Sequence, residues 1–173
     1  MNNVILVDKD DNSVGTMDKM KAHEMGVLHR AFSIFLFNDK GELLLQKRQE
    51  SKYHSAGLWT NTCCSHPKPG EKLIDGAKSR LMEEMGISTE IEFAFSFVYK
   101  AEFDNGLTEN EFDHVFIGSY SDKPAINEEE VSDWRYASLE KIKEEINQFP
   151  RIYTEWFKIA LPLFEKYLLE NRK

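Results

Sequence analysis

Cys64 and His66 lie two residues apart in the segment Trp59-Thr60-Asn61-Thr62-Cys63-Cys64-Ser65-His66-Pro67. A thiol can donate a proton or act as a nucleophile, and a nearby imidazole can be a base or a metal ligand. A Glu-rich stretch follows, ending Glu83-Glu84-Met85-Gly86-Ile87. Paired carboxylates ahead of a helix-stopping Gly suggest a helix that holds a divalent cation near its end. Together these groups point to an enzyme that handles a phosphorylated substrate.

A second set of groups suits a metal. The histidines are His23, His29, His54, His66 and His114, and Glu109 and Glu111 are separated by a single Asn. On an extended chain both glutamates project from one face. Two such carboxylates on a buried strand are costly unless a cation or a proton compensates. Imidazole with carboxylate suits Zn²⁺, Mn²⁺ or Fe²⁺, whereas oxygen alone would suit Mg²⁺ or Ca²⁺. Taken singly, each His or Glu also reads as an ordinary solvated or core residue, and the spacings match no local zinc motif.

The chain that must position these groups has 173 residues, enough for one domain with a real core, so a single domain over 1–173 is expected. Its formal net charge of −8 argues against nucleic acid or an anionic membrane as partner. An anionic small molecule stays possible, because a metal and a few local cations override net charge. No apolar run approaches the roughly 20 residues of a membrane span, and Met1-Asn2-Asn3 does not open a signal peptide. The only cysteines are the neighbours Cys63 and Cys64, which rarely bridge each other. A reducing cytoplasm, and a monomer or weak dimer, are therefore expected.

Hydrophobic patterning places strands at Val4–Val7, Ala31–Phe37, Leu43–Arg48, Trp59–Cys64, Glu92–Phe103 and Asn110–Ser119. Asn38-Asp39-Lys40-Gly41 makes a hairpin turn, and Lys52–Leu58 a loop. Helical spacing marks Asp18–Met25, Leu73–Met85, Leu139–Ile146 and Ile152–Leu169, with a kink expected at Pro162. Phe93, Phe95, Phe97 and Tyr99 alternate as a strand does, and the phenylalanines read as core. The mixture lacks a regular βαβ rhythm. It predicts an α+β fold, an α/β/α sandwich around a mixed sheet.

The helix over Glu71–Gly86 resembles the Nudix box: Gly, five residues, Glu, seven residues, then Arg-Glu-aliphatic-x-Glu-Glu-x-Gly-aliphatic. Glu71, Leu81, Glu83, Glu84, Gly86 and Ile87 match, whereas Ser65, Ser79 and Arg80 replace the opening Gly, the Arg and the first Glu of the trio. Arg80 removes a metal ligand and adds a cation. Nearly the whole chain resembles the type I isopentenyl diphosphate isomerases, a non-hydrolysing branch of the Nudix fold. The likeness rests on Trp59-Thr60-Asn61 before Cys64-x-His66-Pro67, on Glu109-Asn110-Glu111, on Ala22-His23 before His29-x-Ala31-Phe32-Ser33, and on the degenerate box.

That resemblance implies interconversion of isopentenyl and dimethylallyl diphosphate. A proton is added at the terminal alkene carbon and another is removed from the carbon beside the oxygen-bearing one. It makes Cys64 the catalytic thiol, Glu111 the catalytic carboxylate and Tyr99 an aid to proton transfer. It makes His23, His29, His66, Glu109 and Glu111 ligands of one Mn²⁺, Zn²⁺ or Mg²⁺. Glu84 would hold a Mg²⁺ that also touches the diphosphate, with Lys19, Arg48, Lys52 and Arg80 around it. Trp156 would lie over the substrate, where a desolvated cation–π contact is worth about 2 kcal/mol. Cys63, on the opposite strand face, becomes a packing residue, Glu83 faces solvent, and His54 and His114 match no functional position. A Nudix pyrophosphohydrolase acting on a nucleotide-like diphosphate is the alternative, and a catalytically dead ligand-binding domain a third reading.

Overall fold

A computed structural model describes residues 2–171; Met1, Arg172 and Lys173 lie outside the described residues. In chain order the elements are β1 (Asn3–Val7), β2 (Ser13–Asp18), α1 (Lys19–Met25), β3 (His29–Phe37), β4 (Leu43–Arg48), β5 (Trp59–Thr60), β6 (Cys63–Ser65), α2 (Leu73–Met85), β7 (Ile91–Glu102), β8 (Thr108–Ser119), β9 (Val131–Ala137), α3 (Leu139–Gln148) and α4 (Glu155–Glu170). A single 3₁₀ turn, Pro150–Ile152, precedes α4.

The apolar run of β3 is its organising element. Along Ala31–Leu36 both faces of β3 are packed, which accounts for a near-continuous hydrophobic sequence. Phe35, Leu43 and Leu45 pack on one side against Phe157, Leu161 and Phe164 of α4. Ile34, Leu36 and Leu44 pack on the other against Ala77, Leu81 and Met85 of α2. These two cores make the expected sandwich. β3 runs parallel to β8 with His29 opposite Glu111, and antiparallel to β6 with Ser33 opposite Cys64. The parallel pairing uses one edge of β3 throughout, so β6 occupies the other.

Several boundaries differ from the sequence reading. Trp59–Cys64 is two short strands, because Asn61 and Thr62 turn their side chains onto the backbone. Asn61 Nδ2 donates to Ile34 O and Cys63 O, and Thr62 Oγ1 accepts from Leu36 N and donates to Leu44 O. Phe93 is 54% exposed rather than core. Phe93 pairs with Phe116 and Phe95 with Val115, so Ala94 is an extra residue that flips the face of everything before it. Strands β2 and β9 carry no apolar alternation that would have revealed them. Pro162 lies within a continuous α4.

Gly86 ends α2 in the left-handed conformation at φ 64°, and a Cβ there would meet Ala125 O at 2.5 Å. The glycine of the box is thus demanded twice, by backbone geometry and by the close approach of the segment behind it.

Candidate active site

A cavity of about 540 Å³, counting its open mouth, collects Cys64 from β6, His66 just past its end, Glu109 and Glu111 from β8, Tyr99 from β7 and Trp156 from α4. Lys19, Arg48, Lys52, Arg80 and Glu84 line it too. Register explains the convergence. Tyr99 sits opposite Glu111 in the β7–β8 hairpin, and Glu111 opposite His29 across β3.

The imidazoles are set by backbone. His23 donates Nδ1–H to Lys19 O at 2.6 Å, and His29 donates Nδ1–H to Val27 O at 2.8 Å. In the neutral tautomer each then presents a bare Nε2, and both Nε2 atoms are buried without a hydrogen-bond partner. His66 Nε2 lies 2.8 Å from Glu111 Oε1, and His29 Nε2 lies 3.4 Å from the same oxygen. Donor atoms of His23, His29, His66 and Glu111 fall within 4.8 Å of one another.

Burial lowers His23, and lowers His66 to about 4, so both are neutral at ordinary pH. Burial would lower His29 as well, but Glu111, 3.4 Å away, outweighs it and raises this ring. Burial would raise Glu111, but His66 and His29 together hold its carboxyl well below the usual range.

Tyr99 Oη approaches Glu111 Oε2 at 2.6 Å and Glu109 Oε2 at 2.9 Å. One phenolic proton cannot serve two carboxylates. Burial, then the charges of Glu109 and Glu111, push the phenol well above its ordinary range, so it does not ionise to relieve them. Bare imidazole lone pairs beside a surplus of buried negative charge fit a divalent cation of the borderline class.

The second half of the cavity is cationic. Burial, then Lys52 and Arg48, lower the Lys19 ammonium. Arg48 lies over the Trp156 ring at 5.1 Å, Lys52 pairs with Glu130, and Arg80 lies 2.6 Å from Glu84. Arg48 Nε and Arg80 Nε are buried with no acceptor. Unmet donors beside crowded cations are what an anion of high charge would satisfy. Glu84 also accepts from Gln46 at 2.9 Å and from Cys63 at 3.5 Å. Cys63 is wholly buried under α2, Cys64 opens to the cavity, and Glu83 faces solvent. Desolvation pushes the Cys64 thiol well above its ordinary range, so it keeps its proton.

Each predicted site residue is thus in or against this cavity. Glu109 alone among the predicted ligands stands outside the four-donor group, turned toward Tyr99 and His54. His54 went unread, because no local motif marks it. It is buried, with Nε2 3.1 Å from Glu109 Oε1, and its place comes from the fold of the β4–β5 loop. His114 is buried too, bonded to Ala31 O and Asp11 away from the cavity.

The model of the NUDIX domain matches residues 27–157. An isopentenyl-diphosphate Delta-isomerase 2 of Photorhabdus laumondii is 53% identical, over 90% of this chain and 88% of its own. One of the same name from Aromatoleum aromaticum is 49% identical, over 91% and 84%. The chain belongs to the isopentenyl-diphosphate Delta-isomerase family of Nudix proteins. As a member of this enzyme family it keeps the fold across much wider sequence distance. A Deinococcus radiodurans crystal structure superposes with a TM-score of 0.75 at 16% identity, covering 91% of this chain and 96% of its own. A MutT protein of Methanosarcina mazei superposes with 0.67 at 24% identity, over 84% and 96%.

Proposed function

We propose that the protein interconverts isopentenyl and dimethylallyl diphosphate in isoprenoid biosynthesis, by protonation and deprotonation from opposite sides of the five-carbon unit. The observation that carries this reading is a retained thiol proton on Cys64 and a second proton, between Tyr99 and Glu111, lining one cavity beside a cluster of cations. A 1,3 shift of a double bond needs two such groups. One gives a proton to the terminal carbon, leaving a tertiary cation, and the other takes a proton from the carbon next to the oxygen-bearing one. The reverse reaction exchanges the roles.

Lys19, Arg48, Lys52 and Arg80 hold the diphosphate, and this remote binding positions a hydrocarbon that offers little grip of its own. Trp156 shields the cationic carbon from water, for about 2 kcal/mol of the roughly 8–23 kcal/mol by which enzymes lower barriers. Positioning and the local field supply the rest. His23, His29, His66, Glu109 and Glu111 would hold one Mn²⁺, Zn²⁺ or Mg²⁺, and such an ion would fix Glu111 and tune its acidity. Glu84, now paired with Arg80, would hold a Mg²⁺ that also touches the diphosphate. The protein works as a single domain over 1–173, a monomer or weak dimer in the cytoplasm, where free thiols persist.

Turnover in heavy water with Mg²⁺ and trace Mn²⁺ tests the reading. Deuterium appears in the dimethylallyl product. Release of phosphate or pyrophosphate without isomer would instead establish the pyrophosphohydrolase alternative, against which Ser79 and Arg80 already stand. Binding without any conversion would leave a dead domain.

A further inference from the structure

His54 is the buried titratable group in this cavity that the proposed chemistry does not use. Its side chain is 4% exposed and its Nε2 lies 3.1 Å from Glu109 Oε1. The contact is at ion-pair distance, and because a carboxylate only accepts, it favours the tautomer with the proton on Nε2. Nδ1 is then left to accept from Ser55 Oγ at 3.3 Å. The ring is clamped. It stacks on Phe103 with centroids 4.8 Å apart and planes 9° from parallel, and meets Tyr53 edge-on at 4.5 Å and Trp156 at 5.9 Å.

Glu109 thus has a polar neighbour at each oxygen, Tyr99 Oη 2.9 Å from Oε2 and His54 Nε2 3.1 Å from Oε1. Donor atoms of His23, His54 and Glu109 lie within 4.8 Å of one another. His23 belongs to the other donor group as well, and it is His23, not His54, that presents a bare nitrogen. Resting on the metal reading above, we propose that His54 is a positioning residue of the metal centre. It holds Glu109 through Nε2–H beside His23, so that this carboxylate is the fifth protein ligand. His54 does not bind the ion itself.

His54 also sits two residues from Lys52 in the β4–β5 loop. The same contact ties the loop that carries a diphosphate-binding lysine to the strand that carries the metal carboxylates.

The test titrates the whole protein with Mn²⁺ alone, by calorimetry, for wild type, His54→Phe and His54→Gln. Phe keeps a ring to stack on Phe103 but lacks the N–H; the Gln amide restores an N–H donor. Loss of an outer-shell partner typically weakens metal binding about 10- to 100-fold. His54→Phe is expected to show that loss and His54→Gln to recover most of it, with melting temperatures of the metal-free proteins verifying the fold. Saturated with Co²⁺, wild type and His54→Gln are expected to show the same ligand-field bands. Equal Mn²⁺ affinity in wild type and His54→Phe would overturn the positioning role. Shifted Co²⁺ bands in His54→Gln would overturn it too, by making His54 a ligand. A wild type that takes up no Mn²⁺ would sink the metal reading itself, and this inference with it.

Discussion

The Tyr99 hydroxyl meets Glu111 Oε2 at 2.6 Å, the shorter of its two carboxylate contacts. Removing it as Tyr99→Phe takes away a donor that favours the ionised carboxyl. The acid limb of the kcat/KM profile is expected to move to higher pH, and turnover to fall by about 10²–10⁴-fold, the usual worth of a positioned proton-transfer group. An unchanged profile and rate would reduce Tyr99 to packing.

Cys63 and Cys64 separate structure from chemistry in one comparison. Cys64→Ala is expected to abolish turnover with little change in melting temperature. Cys63→Ala keeps turnover but loses stability, because it empties a fully buried site and removes a hydrogen bond to Glu84. Burying a hole the size of a thiol costs on the order of 1 kcal/mol. The opposite pattern would reassign the reactive thiol.

Asp113 gives a pH signature. Burial, then the charge of Glu111, raise its carboxyl from 3.8 to about 8, against the hydrogen bond from Ser33. The folded protein holds this proton more tightly than the unfolded chain. The stability it confers is full below pH 3.8 and is lost as pH rises toward 8. In the metal-free protein, Asp113→Asn removes that dependence. Its stability relative to wild type is expected to grow by about 1.4 kcal/mol per pH unit across the window and then level off. Denaturant melts from pH 4 to 9 check it, and a flat difference would refute the assignment.

Metal uptake should expel a proton from one imidazole in particular. His29 is raised by Glu111, whereas His23 and His66 are neutral. Calorimetry in buffers of different ionisation enthalpy is expected to report release of about one proton at pH 6, fading as pH rises past the His29 midpoint. Release that persists undiminished at pH 9 would point to a different source.

The site was more legible than the frame around it. Cys64, His66, Glu109 and Glu111 sit in short motifs that carry the family resemblance, whereas their convergence comes from strand register, which the sequence does not display. Strand β2 left no trace, since almost all of Ser13–Asp18 is exposed and edge strands need no apolar period. Trp59–Cys64 read as one strand because side-chain capture of backbone groups by Asn61 and Thr62 has no hydropathy signal. Phe93 was misplaced by a bulge at Ala94, which alternation cannot register. His54 was missed because its partner is Glu109, far along the chain, and only the folded β4–β5 loop brings them together.

The back-to-back thiols of β6 also set how the protein ages. A disulfide between them would require one side chain to cross the sheet, and no further cysteine exists to take the place of a partner. Peroxide that enters the cavity therefore meets a single thiol. The protonated state of Cys64 slows attack, but a sulfenic acid once formed has no resolving thiol in the chain and waits for an external reductant. On the role proposed for Cys64, oxidative inactivation would be a one-hit event whose rate follows access through the cavity mouth, with bound substrate as its guard.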